Sequence, residues 1–160
     1  MSSRRFFLDT TVRQVLGLRV LGLAVASGWL LPVTAMAVDW NGAAFATRSL
    51  PEVLKALGLA RPPQASAQIE LVAPEIAENG AVVPVSVRSL LPDTRRIALL
   101  IEHNPNLLAA QFLVLPGLAP MIGTRVKLAE TGDVVAMVET GDGLYFARQT
   151  VKITIGGCGG

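Results

Sequence analysis

From residue 68 onward, short runs rich in Val, Ile and Leu recur at intervals of roughly ten to twelve residues. Gly, Pro and Asn separate the runs, and no helical period lies between them. This spacing predicts an all-β fold of two packed antiparallel sheets, because short strands joined by turns pair with their neighbours. The seven predicted strands are Ile69 to Val72, Val82 to Val87, Ile97 to Glu102, Ala110 to Leu115, Thr124 to Ala129, Val134 to Glu139 and Tyr145 to Ile155.

Local signals add detail to three of these strands. Asn79 and Gly80 predict a tight turn that joins the first two strands. Pro84 lies inside the second run and lacks a backbone N–H, which predicts an edge strand or a bulge there. The last run alternates apolar and polar residues from Val151 to Ile155, so one face of that strand should be buried.

Residues 38–67 are expected to be a lead-in that contains one short amphipathic helix. Ser49 suits an N-cap, Pro51 fits the first helical turn, and Gly58 ends the apolar pattern. The β-sandwich domain is then expected to span residues 68–155.

Residues 1–37 have the pattern of an export signal. Arg4 and Arg5 precede an almost entirely apolar stretch from Val15 to Val33, and Ala35-Met36-Ala37 is typical of a signal peptidase site. The paired arginines favour the twin-arginine route, and therefore a periplasmic protein that is exported in the folded state. The alternative is an N-terminal transmembrane anchor, although Arg19 interrupts the apolar stretch.

The charge of the chain depends on this signal. The full sequence has 14 basic and 12 acidic residues, and residues 1–37 hold four of the arginines and one aspartate. The remainder has ten basic and eleven acidic residues, a formal charge of −1. The sequence pI of about 9.1 therefore gives no argument for nucleic-acid binding.

The sequence ends in Gly156-Gly157-Cys158-Gly159-Gly160, and Cys158 is the only cysteine. We call residues 156–160 the carrier arm and expect it to be flexible. One cysteine excludes an internal disulfide and any zinc or iron–sulfur site that needs several thiolates, and the single histidine, His103, leaves little else to bind a transition metal. His103 is expected at the edge of a loop. Cys158 is predicted to attach a substrate covalently and present it to the active sites of other proteins.

Several segments resemble the SoxY family, the sulfur carriers of the bacterial thiosulfate-oxidising Sox system. They are the carrier arm with the strand before it, Ile101 to Asn106, Ala109 to Phe112 and Ala129 to Ala136. The resemblance implies an immunoglobulin-like sandwich that forms a heterodimer with SoxZ. It also implies that SoxAX couples thiosulfate to Cys158, that SoxB releases sulfate, and that SoxCD, where present, oxidises the remaining sulfur. The chain would then be a carrier without cofactor, metal or catalytic residues of its own.

Two other functions remain open at this stage. A ubiquitin-like sulfur carrier also ends in Gly-Gly, but it acts in the cytoplasm through its terminal carboxylate and needs no Cys158. An exported binding module could instead dimerise through a disulfide between two Cys158 residues.

Overall fold

The computed structural model describes residues 40–154, which contain two short helices and nine strands. Each of the seven predicted strands is present, with ends shifted by a few residues. Two further strands of two residues each, β1 and β3, were not predicted. The elements are α1 (Gly42–Phe45), α2 (Leu50–Ala56), β1 (Gln64–Ala65), β2 (Ile69–Val72), β3 (Ile76–Ala77), β4 (Val83–Ser89), β5 (Thr94–Ile101), β6 (Leu108–Leu113), β7 (Met121–Val126), β8 (Gly132–Thr140) and β9 (Leu144–Ile153).

The strands form two sheets, as predicted. The larger sheet has the order β1-β9-β8-β5-β6, and the smaller one has the order β2-β4-β7. The long strands pair antiparallel, but β1 and β3 both pair parallel with β9. Since β8 takes one edge of β9, both short strands lie on its other edge, β1 near the start of β9 and β3 near its end.

The main core lies between the two sheets. Alternate residues of β4 are buried, with Val83, Val85 and Val87 each at most 1% exposed. They pack with alternate residues of β5, β8 and β9 from the facing sheet, including Ile97, Leu99, Val134, Val138 and Val151. This period of two is the pattern expected of facing sheets in a sandwich.

A second apolar cluster covers the opposite face of the larger sheet. Val53 of α2 is fully buried against residues such as Leu100 and Met137, which alternate with the main-core residues along β5 and β8. Arg96 of β5 fixes the end of α2, because its Nη1 donates to the Leu57 carbonyl at 2.9 Å. The helical segment is therefore a third layer on the sheet. Neither helix within residues 40–154 is long and apolar enough to cross a bilayer.

The helix predicted after Ser49 is confirmed as α2, and Gly58 beyond it has a φ of 70°. The separate helix α1 was not predicted. Its N-cap is Asn41, whose Oδ1 accepts from Ala44 N at 3.1 Å. Asn41 also donates through Nδ2 to the Ala56 carbonyl at 2.9 Å, which ties α1 to α2.

Two local predictions were wrong in part. The turn at Asn79 and Gly80 exists, but β2 and β4 are not joined by a tight hairpin, because β3 lies between them in sequence and pairs with β9 of the other sheet. Strand β4 is central and not an edge strand. Pro84 is tolerated because β2 pairs only with Ser86 to Ser89, so Pro84 has a ladder partner on the β7 side alone.

Candidate functional site

The predicted attachment residue Cys158 and its neighbours Gly156, Gly157, Gly159 and Gly160 lie outside the described residues, as does Ile155. The structure describes the end of the domain from which they continue. We call this region the arm root and define it as the end of β9 together with the three segments that contact it. These segments are residues 75–82, 102–107 and 127–133.

On one side, the last residues of β9 are held by β3. Lys152 N donates to the Glu75 carbonyl at 2.9 Å, and Thr154 N donates to the Ala77 carbonyl at 3.1 Å. The parallel pairing places Ile76 beside Lys152 and Ala77 beside Ile153. Backbone bonding on this side therefore reaches the last described residue.

On the other side, the regular ladder with β8 ends two residues earlier. Its final pair is Gly132 with Val151, because the chain turns away at Thr131. The next N–H on this side, that of Ile153, donates instead to the Thr131 hydroxyl Oγ1 at 2.9 Å. A side-chain oxygen thus continues the ladder where the backbone cannot.

The loop that carries Thr131 is itself fixed by the β5–β6 connection. Asn104 donates through Nδ2 to the Lys127 carbonyl at 2.8 Å and accepts from Ala129 N at 2.9 Å. The His103 Nδ1 lies 3.0 Å from the Thr131 carbonyl, to which a protonated Nδ1 donates. His103 is exposed in a loop with a φ of 63°, so its predicted position is confirmed.

Two glycines allow these segments to approach each other closely. A Cβ on Gly80 would lie 2.6 Å from the Leu128 carbonyl oxygen, whereas real contacts of this kind stay beyond 3.0 Å. The Leu128 N–H also donates to the Gly80 carbonyl at 2.7 Å, so the two turns are bonded at the point of contact. A Cβ on Gly132 would lie 3.0 Å from the His103 Nδ1.

The arm root carries charges of both signs. Asp133 accepts from the Thr150 hydroxyl and lies 3.9 Å from Arg148, while Glu102, Glu130 and Lys152 are exposed. Across residues 40–154, no three His, Cys, Asp or Glu side chains are grouped closely enough to hold a metal ion. The arrangement is suited to anchoring a strand end.

Comparison with known proteins identifies the family. Residues 54–158 match the family described as sulfur oxidation protein SoxY, and the matched region ends at Cys158. The chain belongs to the SoxY family. The resemblance seen in the sequence is thereby confirmed, and the chain is a member of a family of sulfur oxidation proteins.

A solved structure of the sulfur carrier protein SoxY from Chlorobium limicola f thiosulfatophilum is similar to this chain. The two are 39% identical with a TM-score of 0.61, over 66% of this chain and 96% of that one. The similarity also confirms the predicted immunoglobulin-like sandwich. A superoxide reductase (neelaredoxin) from Ignicoccus hospitalis is 22% identical with a TM-score of 0.48, over 72% of this chain and all of that one. No curated protein matches the chain.

The sequence pointed to the segments of the arm root but not to the hydrogen bonds by which they hold the end of β9. Residues 101–106 and 129–136 contributed to the resemblance, but Thr131 had no predicted role of its own. The contacts of Thr131 and Asn104 join residues more than twenty positions apart. No local pattern encodes such pairs, although the presence of Asn and Thr in loops beside Gly is a weak signal for side-chain bonds to backbone.

Proposed function

We propose that this SoxY protein is a periplasmic sulfur carrier of thiosulfate oxidation, and that Cys158 holds the sulfur intermediates covalently. The observation that carries the proposal is the family match, which runs through the sandwich and ends on the single cysteine. The 39% identity to a solved SoxY sulfur carrier supports it.

The chemistry of loading follows from a lone thiol and an anionic substrate. The thiolate of Cys158 and thiosulfate form a sulfur–sulfur bond, and two electrons leave to the SoxAX cytochrome, which gives cysteine S-thiosulfonate. Water then attacks the terminal sulfonate in SoxB, so that sulfate and two protons leave and a persulfide anion stays on the carrier. SoxCD, where present, oxidises that remaining sulfur. The carrier itself supplies only the sulfur atom, so it needs no cofactor and is not the enzyme.

The structure of the arm root supports a carrier that presents its cysteine to separate enzymes. Bonds on both sides of β9 hold the chain as far as Thr154. Cys158 is four residues further on, a reach of about 14 Å when the backbone is extended. Glycines on both sides of Cys158 give the segment the narrowest cross-section that a peptide can have. Such an arm can enter a deep active site while the domain stays outside.

An apolar surface supports the proposed heterodimer with SoxZ. It lies at the end of the sandwich opposite the arm root, around the β6–β7 connection, and we call it the β6–β7 patch. Leu115 and Leu118 are 63% and 61% exposed, and Met121 is 60% exposed. Large apolar side chains that cluster on a surface mark protein contacts more often than isolated ones do. A partner at this end would leave the arm root free for SoxAX, SoxB and SoxCD.

Export completes the proposal. The twin-arginine pattern in residues 1–37 would carry the folded domain to the periplasm, and a bound SoxZ could travel with it. After removal of the signal, no contact with membrane or nucleic acid is part of this function.

The test is mass spectrometry of the Cys158 peptide after incubation of the mature protein with thiosulfate and the SoxAX cytochrome. We expect the added mass of a thiosulfonate in the wild type and none in Cys158→Ser. A matched control moves the thiol to an exposed site of β4, in the double variant Ser86→Cys with Cys158→Ser. That variant should react with iodoacetamide but should not be loaded by the enzyme.

Two outcomes would contradict the proposal. One is a wild-type Cys158 that stays unmodified under these conditions. The other is a covalent dimer that reductant separates into monomers and that never carries a sulfur adduct. That result would favour a binding module that dimerises through a Cys158 disulfide. For the partner surface, Leu118→Glu should weaken copurification with SoxZ, whereas Val72→Glu, at an equally exposed residue of β2, should not.

A further inference from the structure

Hydrogen bonds on both edges of β9 continue beyond the last pair of its regular ladder with β8. The regular ladder with β8 stops at Val151, yet Ile153 N is bonded to Thr131 Oγ1 and Thr154 N to the Ala77 carbonyl. Successive N–H groups of a strand point to opposite edges, so these two bonds hold opposite sides of the same strand end. Only the bond to Thr131 depends on a side chain.

The loop that carries Thr131 has backbone supports of its own. The ring of His103 contacts the Thr131 carbonyl, and Asn104 bonds the same loop at two backbone positions. The Leu128 N–H is bonded to the carbonyl of Gly80, in the turn that follows β3. The loop is therefore attached to the β5–β6 connection and to the turn after β3, in addition to its bond with β9.

We propose that Thr131 is a positioning residue that sets the point at which the carrier arm leaves the domain, and that His103 and Asn104 hold it in place. This inference rests on the proposed function, in which Cys158 must be delivered to the active sites of other proteins. The hydroxyl of Thr131 holds Ile153 on the β8 edge, while the Ala77 carbonyl holds Thr154 on the β3 edge. The proposed tether to Cys158 is shortest when both bonds are closed.

The length of that free segment has a measurable effect on delivery. With the strand end intact, four residue steps separate Thr154 from Cys158. Without the Thr131 bond, only the two backbone bonds to β3 hold this end, so it opens more often. When those bonds open as well, the end is free back to Val151 and the number of steps rises to seven. The effective concentration of a tethered group falls roughly as the −3/2 power of the tether length, so fraying lowers it about twofold at a docked active site.

The test compares Thr131→Val, which keeps the shape of the side chain without its hydroxyl, with Thr131→Ser, which keeps the hydroxyl. Hydrogen exchange of the Ile153 amide in the mature protein should become about tenfold faster in Thr131→Val, because one exposed hydrogen bond is lost. Enzymatic loading of thiosulfate by the SoxAX cytochrome should show a KM for the carrier that is higher by up to about twofold, the value for complete fraying, at unchanged kcat. Thr131→Ser should restore both values.

Reaction of Cys158 with iodoacetamide is the control, because a small reagent does not depend on where the arm begins. Its rate should be the same in all three proteins. Unchanged amide exchange in Thr131→Val, or a KM equal to that of the wild type, would overturn the inference. A wild-type protein that is never loaded would instead refute the proposed function, and the exchange result would still decide whether Thr131 anchors the strand end.

Discussion

The helical layer on the outer face of the larger sheet leads to a prediction for Val53→Ala. Val53 is fully buried between α2 and the sheet. The change removes two methylene equivalents, which cost about 1.6 kcal/mol at roughly 0.8 kcal/mol each. The remaining cavity adds to this, and the better helix propensity of Ala returns up to about 0.6 kcal/mol. We expect the free energy of unfolding to fall by about 1.5 to 2 kcal/mol.

Urea denaturation of the mature domain, followed by fluorescence and circular dichroism, measures this change. The midpoint should fall in a single transition with an unchanged slope, because α2 packs directly on the larger sheet of the sandwich. Val82→Ala is the matched control, since Val82 is 51% exposed and its truncation should cost less than about 0.5 kcal/mol. Equal urea midpoints for Val53→Ala and Val82→Ala, or a separate early unfolding transition of α2, would refute this reasoning. The helical layer would then not be part of the cooperative domain.

Three further changes test other contacts. Gly80→Ala would place a methyl group 2.6 Å from a carbonyl oxygen of the β7–β8 loop, and it should lower the free energy of unfolding by about 1 to 3 kcal/mol in thermal denaturation. Gly123→Ala is the control and should be nearly neutral, because its nearest contact would be at 3.7 Å. Equal effects of the two changes would contradict the close packing at Gly80. Arg96→Met removes a hydrogen bond to the end of α2 and the ion pair with Glu139 at 3.2 Å, so it should cost about 1 to 3 kcal/mol. In a double-mutant cycle with Glu139→Gln, strict additivity would show that the pair contributes nothing. The pKa of Glu52 is lowered from 4.5, chiefly because its carboxylate accepts the backbone N–H of the residue four positions earlier. Its ionised form therefore stabilises the fold above the unfolded pKa, and this contribution is lost as the pH falls through the lower folded pKa. The difference in urea midpoint between wild type and Glu52→Gln should shrink from pH 6 to pH 3, and a constant difference would argue against the assignment.

The sequence could predict the elements that are encoded locally. Apolar runs that recur about every ten to twelve residues placed the seven longer strands, and Ser49 with Pro51 placed α2. Strand β5 shows the limit of this reasoning, because residues from Ile97 to Ile101 are buried on both faces. A continuous apolar run is consistent with that burial but does not reveal which segment covers the second face.

The elements that were missed depend on tertiary contacts. β1 and β3 are two residues long and exist through pairing with β9, so no period marks them. The expectation for Pro84 failed because the length of β2, and not the proline itself, decides where β4 has a second neighbour. For the candidate site, the glycine-rich end and the single cysteine were visible in the sequence. The bonds that anchor the preceding strand were not, because they join distant loops.

The position of β9 also determines how the domain responds to mechanical force. Under the proposed function an enzyme would draw the carrier arm inward, and the tension would run along β9. This strand is bonded to β8 on one edge and to β1 and β3 on the other. Hydrogen bonds in a sheet lie across the strand, so such a pull shears many of them together and does not open them one after another. The strand that precedes Cys158 in sequence is thus held by bonds that resist a pull along its axis.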